Sequence, residues 1–149
     1  MNRREAIESI LDRHPKAAFV FCNGLNSRET AHRFKAPNHL YLLHAMGEAL
    51  AVGVGLKLAQ PDREVVVVDG DGNALMGASA SVFLPMAGLH HYILVNRGYE
   101  TTGGQPIDRL PDFPYSQCIE IEVGKIASPN PPPPREIMRG FREWCDPGT

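Results

Sequence analysis

Asp71 stands between Gly70 and Gly72, directly behind the apolar run Glu64-Val65-Val66-Val67-Val68-Asp69, and Asn96 closes a second run, Tyr92-Ile93-Leu94-Val95. A carboxylate and an amide oxygen delivered by neighbouring strand ends suit an octahedral Mg²⁺ that also holds a diphosphate. That chemistry depends on where the strands end. A four-valine run bounded by turn residues reads as a buried parallel strand. Gly-Asp-Gly then makes a tight turn at its carboxyl end, the edge at which open α/β sheets bind ligands.

Two plainer readings compete. Gly-Asp-Gly alone is more often a surface turn than a metal site. Asp69, Asp71 and Asn73 also mimic the opening of a calcium-binding loop, but that loop needs Gly at its sixth position and Glu at its twelfth. Here those positions are Ala74 and Ala80, and the calcium reading fails. The strand ending in Asn96 is what raises the metal–diphosphate reading above a turn.

The elements around these residues alternate. Ala6, Ile7, Ile10 and Leu11 recur at helical spacing until His14-Pro15 stops the helix. Residues 17–22 read as a strand followed by the Asn23-Gly24 turn, and residues 27–34 as a helix with Ser27 at or near its cap. Residues 40–43 form a second short strand, and residues 47–59 a small-residue helix. Residues 64–69 are the third strand, residues 73–89 a helix broken near Gly77, and residues 92–95 the fourth strand. Residues 97–117 lack apolar periodicity and carry Gly103-Gly104, Pro106, Pro111 and Pro114, so they read as a long active-site loop, functional or mobile. Residues 118–123 are a fifth strand, residues 128–134 a Pro-rich spacer and residues 135–144 a terminal helix. Strands alternating with helices predict a three-layer α/β/α domain with a mostly parallel sheet, residues 1–149 forming one unit.

Gly-Asp-Gly followed about two dozen residues later by Asn resembles the thiamine diphosphate (ThDP) motif of ThDP-dependent enzymes. The wider match is to the diphosphate-binding (PP-type) domain of phosphonopyruvate decarboxylases and sulfopyruvate decarboxylase beta subunits. It rests on Asn23-Gly24-Leu25-Asn26-Ser27-Arg28-Glu29, His44-Ala45-Met46-Gly47, Asp69-Gly70-Asp71-Gly72-Asn73-Ala74-Leu75-Met76 and the run from Asn96-Arg97-Gly98-Tyr99 to Gln105-Pro106. The four blocks lie in register over roughly residues 17 to 107.

The resemblance implies the site residue by residue. Asp71, Asn96 and the backbone carbonyl of Gly98 would hold Mg²⁺. Gly72, without a Cβ, would let its N–H approach a phosphate oxygen. Asn73 would open the next helix and add donors at its positive end. Gly24, Asn26 and Ser27 would meet the same diphosphate from the first strand-to-helix turn, Ser27 being equally well a plain N-cap. Gly70 and Tyr99 complete the cofactor contacts. Met46 would be the bulky apolar residue that bends the cofactor into its V shape, and the His44 carbonyl would accept from its aminopyrimidine. A core methionine is the plainer alternative for Met46. The chain departs from the family where a second Asn is common, at Arg97, and in a C-terminal third that looks shortened.

The implied activity is decarboxylation of a 2-oxo acid, a step whose hard chemistry the cofactor supplies. The family also needs a glutamate from a pyrimidine-binding domain, which nothing here resembles. Glu48 and Glu100 read as solvated surface. The expectation is therefore the diphosphate/Mg-binding subunit of a split enzyme, a hetero-oligomer of α2β2 size or larger with an alpha-type pyrimidine-binding partner. The face carrying Met46, Gly47 and residues 98–105 would meet that partner. A carboligase of acetolactate-synthase type and a non-catalytic partner-binding domain are the alternatives. Arg28, Arg97, His90 and His91 could meet a second anionic group on the substrate.

Composition fits this picture. The 149 residues are 43% hydrophobic and 21% charged, and a domain of that size buries about 68–70% of its unfolded surface. A formal net charge of −2 gives no reason to expect nucleic acid. No apolar run approaches a membrane span, and Met1-Asn2-Arg3-Arg4-Glu5 leads into an amphipathic helix rather than a signal sequence. Cys22, Cys118 and Cys145 form no metal or redox pattern, which fits a reducing cytoplasm.

Overall fold

The computed structural model describes residues 1–124 and 127–148; Lys125, Ile126 and Thr149, which the one-domain expectation includes, lie outside the described residues. Its elements run α1 (Arg3–Arg13), β1 (Ala18–Phe21), α2 (Leu25–Arg33), β2 (His39–Tyr41), α3 (Ala49–Ala59), β3 (Val65–Gly70), α4 (Asp71–Met76), a 3₁₀ segment (Ala78–Phe83), α5 (Leu84–Ala87), β4 (His90–Val95), β5 (Gln117–Glu120) and α6 (Pro134–Cys145). The strands form one sheet in the order β2-β1-β3-β4-β5, and every neighbouring pair is parallel. Val65 to Val68 are fully buried, which is why their sequence shows no alternation.

Helix α1 starts where Asn2 and Glu5 form a reciprocal capping box: the Asn2 side chain accepts from the Glu5 N–H at 3.0 Å and Glu5 accepts from the Asn2 N–H at 2.9 Å. Ala6, Ile7 and Ile10 face the core, and Arg3, in the first turn, is buried with them. At the other end His14 Nδ1 lies 2.6 Å from Glu64, while its Nε2 lies 2.8 Å from the Tyr92 hydroxyl, so the helix is tied to the starts of β3 and β4.

The expected elements are present with shifted ends, and each shift has a local cause. Helix α3 begins at Ala49 rather than at residue 47, because Gly47 turns the chain with φ of 80°. The helix breaks at Gly77, a position that only glycine can fill: a Cβ there would stand 2.1 Å from the Gly47 carbonyl oxygen. Strand β5 ends at Glu120; the Ile121 N–H still reaches the Val95 carbonyl, but Glu122 turns away to the Met1 carbonyl. Residues 97–117 are more ordered than a loop reading suggests. Gly98 and Pro106 form an antiparallel bridge, and Leu110 and Phe113 pack on Ala74, Ile93 and Val95 as a small second core. Helix α6 lies along β2 and buries Ile137 and Phe141, covering a sheet edge that would otherwise be open.

Candidate functional site

The strand order reverses between β1 and β3, the switch point at which open α/β sheets form their ligand crevice. Three strand-end segments meet there: Cys22 to Asn26 after β1, Gly70 to Asn73 after β3, and Asn96 to Thr101 after β4. The cleft they line encloses about 50 Å³. That is small beside the ~300–1,000 Å³ typical of ligand pockets.

Asp71 and Asn96 are brought together as their sequence pattern predicts. The Asp71 carboxylate accepts from three backbone groups: the Gly72 N–H on one oxygen (2.9 Å), and the Asn96 and Arg97 N–H groups on the other (3.1 and 2.6 Å). The Asn96 amide oxygen in turn accepts from the Gly98 N–H at 3.1 Å. The turn after β4 is thus wound onto Asp71, and Arg97 takes the left-handed conformation (φ 60°) that a side chain adopts at a cost of roughly 1–2 kcal/mol. Asp71 is not an exposed strand-end carboxylate: it is 3% accessible.

The other predicted residues divide. Asn26 is buried in the cleft wall, its amide oxygen accepting from Arg3 Nε at 2.9 Å and its nitrogen donating to Cys22 Sγ at 3.4 Å. Gly24 caps α2 and lines the cleft together with Gly70, Gly98 and Tyr99. Met46 is half-buried on the same cleft. Ser27 is corrected on both expectations. It is the third residue of α2, fully buried, and its hydroxyl donates back to the Cys22 carbonyl at 2.6 Å, so it neither caps the helix nor lines the cleft.

Asn73 does not open its helix, since α4 starts at Asp71; its side-chain oxygen accepts from the Gly47 N–H at 3.0 Å and so anchors the turn that carries Met46. The Gly72 N–H is held by Asp71, and the space its missing Cβ leaves is taken by Tyr99: a Cβ would stand 2.6 Å from that ring. His44 is exposed, with φ of 55°, and lines an adjoining cleft of about 420 Å³ with Arg28, Met46 and Thr101.

Of the four cationic candidates for a substrate anion, Arg28 alone stands beside the site. Arg97 pairs with Glu120 at 2.8 Å on the surface. His90 and His91 start β4, at the opposite end of the strand from Asn96, and His91 is buried against Ser116.

Sequence reasoning missed Arg3 and misjudged Glu100. Arg3 lines the cleft at 6% accessibility and forms an ion pair with Glu100, whose side chain is itself mostly buried. The readable signal for Arg3 was the Asn2-x-x-Glu5 capping box, which fixes Arg3 in the first helical turn. Two buried polar atoms of cleft residues have no hydrogen-bond partner: Arg3 Nη1 and Asn23 Oδ1. Burial and the neighbouring Asp69 push the Cys22 thiol well up, so it stays protonated and unreactive. A carboxylate, two amides and an under-used guanidinium on one crevice form a donor set that fits a divalent cation carrying a phosphorylated ligand.

Residues 23–141 match the family described as "Thiamine pyrophosphate enzyme, C-terminal TPP binding domain". The chain is 45% identical over 107 residues to the phosphonopyruvate decarboxylase of Streptomyces hygroscopicus, a match covering 69% of this chain and 26% of that protein. It is 41% identical over 109 residues to the sulfopyruvate decarboxylase subunit beta of Methanothermobacter thermautotrophicus, covering 70% of this chain and 58% of that protein. The chain thus spans less than two thirds of the length of either relative.

Proposed function

Because the chain belongs to the thiamine pyrophosphate enzyme family through its C-terminal TPP binding domain, we propose that it is the diphosphate-binding half of a 2-oxo acid decarboxylase completed by a pyrimidine-binding partner. The observation that carries this reading is the meeting of Asp71 and Asn96 at the β1/β3 switch point. Asp71, the Asn96 amide oxygen and the Gly98 carbonyl would hold Mg²⁺, and Asn26 with the Gly24 turn would meet the diphosphate. When bound, ThDP supplies the electron sink that makes loss of CO₂ from a 2-oxo acid feasible.

This chain's residues position and enclose. The Asp71–Asn96–Gly98 winding would hold these ligands in place before a cation arrives, which would lower the ordering cost of binding. The Asn73–Gly47 bond fixes the turn that carries Met46, which would sit against the bound cofactor. The His44 carbonyl would take the aminopyrimidine on the same turn, and Tyr99 would close the diphosphate side.

Two features support a partner. The cleft holds only about 50 Å³, so much of the ligand's surroundings must come from elsewhere. Four large apolar side chains in the segment that follows Gly72 are exposed, Met76, Val82, Phe83 and Met86, at 54, 67, 48 and 79%. Gly47 packs directly on Met76 and Gly77, which puts Met76 beside the Met46 turn. The partner would supply the glutamate that the cofactor requires, as an alpha-type subunit in a hetero-oligomer. Among the described residues no helix is long and apolar enough to cross a membrane. Arg28 on the adjoining cleft is the residue placed to meet a second anionic group, as a phosphono or sulfo acid carries.

Reconstitution tests the proposal. The chain is mixed with the product of a neighbouring pyrimidine-domain gene, ThDP, Mg²⁺ and a panel of 2-oxo acids, and both CO₂ and carboligation products are measured. CO₂ release is expected only from the mixture. Robust release by the chain alone would overturn the split, and CO₂ release that leaves a carboligation product in place of the aldehyde would overturn the decarboxylase assignment.

A further inference from the structure

We propose that Arg3 is an anion-binding and positioning residue of the diphosphate cleft, with Glu100 as its resting counter-charge; this rests on the diphosphate reading of the same site. Arg3 comes from α1, outside the residues that match the family, yet it reaches the switch-point cleft. Burying a guanidinium is costly unless its donors are used. Two are used: Nε donates to the Asn26 amide oxygen at 2.9 Å, and Nη2 pairs with Glu100. Nη1 is buried with no acceptor.

The contact to Asn26 has a second effect. Because Arg3 can only donate, it fixes which end of the amide is oxygen, and so turns the Asn26 NH₂ inward. That NH₂ finds only the Cys22 sulfur, a weak acceptor, at 3.4 Å. Arg3 and Asn26 thus carry two donors, Nη1 unpartnered and Nδ2 poorly partnered, and both residues line the same cleft as Asp71 and Gly72. A terminal phosphate oxygen is the acceptor that suits both, since guanidinium and phosphate pair strongly. Glu100 holds the guanidinium until then. Its carboxylate would repel an arriving anion if Arg3 did not neutralise it.

The test is calorimetric titration of the full chain with inorganic pyrophosphate and Mg²⁺, with urea denaturation confirming that each variant is folded. Arg3→Met should weaken pyrophosphate binding about tenfold or more, the effect of losing a charged hydrogen bond and leaving Glu100 facing the anion. Glu100→Gln should tighten it severalfold, and the double variant should stay weaker than Glu100→Gln alone. Arg3→Lys, which keeps the charge but cannot hold Asn26 and an anion together, should fall between, and it carries the test if Arg3→Met does not fold. If the wild-type chain shows no Mg²⁺-dependent pyrophosphate binding, the diphosphate reading itself fails. If the wild type binds and the double variant matches Glu100→Gln, Arg3 merely braces the fold and this inference is overturned.

Discussion

Replacing Asp71 separates what the carboxylate does for the fold from what it would do for a metal. It accepts three backbone hydrogen bonds, from Gly72, Asn96 and Arg97. An unpaired buried donor costs about 1–3 kcal/mol. Gly72 is buried and would bear the full cost, whereas Asn96 is half-buried and Arg97 exposed, so water can recover part of theirs. Asp71→Ala should therefore destabilise the chain by about 2–4 kcal/mol, against a typical domain stability of about 5–15 kcal/mol, and leave it folded. Asp71→Asn keeps one oxygen as acceptor and should cost about half as much. Both should abolish Mg²⁺-dependent ThDP binding, and with it the stabilisation that Mg²⁺ and ThDP together give the wild type. Urea denaturation with and without the ligands reads both effects. An unchanged urea midpoint in Asp71→Ala would refute the buried-acceptor account, and undiminished Mg²⁺-dependent affinity would refute the metal assignment.

Met46→Ala in the reconstituted complex should reduce kcat far more than ThDP affinity, because diphosphate contacts dominate binding while Met46 shapes the bound cofactor; equal losses in both would mark it as packing. A pH dependence should come from His39, which burial pushes down from an ordinary 6.5 to about 4. The unfolded chain takes up that proton near pH 6.5 and the folded chain only near pH 4, so stability is full above about 6.5 and falls as pH drops through this window, by up to ~3 kcal/mol. Urea midpoints at pH 7.5 and 5 measure the slope, and His39→Phe should flatten it; an equal slope in that variant would assign it to other groups.

What could be read from the sequence is what local rules determine. The four-valine run is a central strand because nothing but apolar, β-branched side chains survives between two helical layers, and His14-Pro15 ends α1 where backbone geometry requires. The Asp71–Asn96 juxtaposition was legible as well, since both residues end strands and the spacing leaves room for one crossover between them. Ser27 was misplaced because a hydroxyl near a helix start can cap it or bond back to the preceding strand, and sequence does not say which. The burial of Asp71 was not legible, because its cover is the backbone of residues 96 and 97, which carries no side-chain signature. Arg3 and Glu100 are separated by almost the whole sheet in sequence, and each alone resembles ordinary surface charge. Their pairing exists only once α1 has packed beside α2 and the turn after β4 has wound onto Asp71. The polar lining of this cleft is therefore a property of the finished topology. Motif residues supply its carboxylate and amides, and a residue from outside the motif supplies its guanidinium.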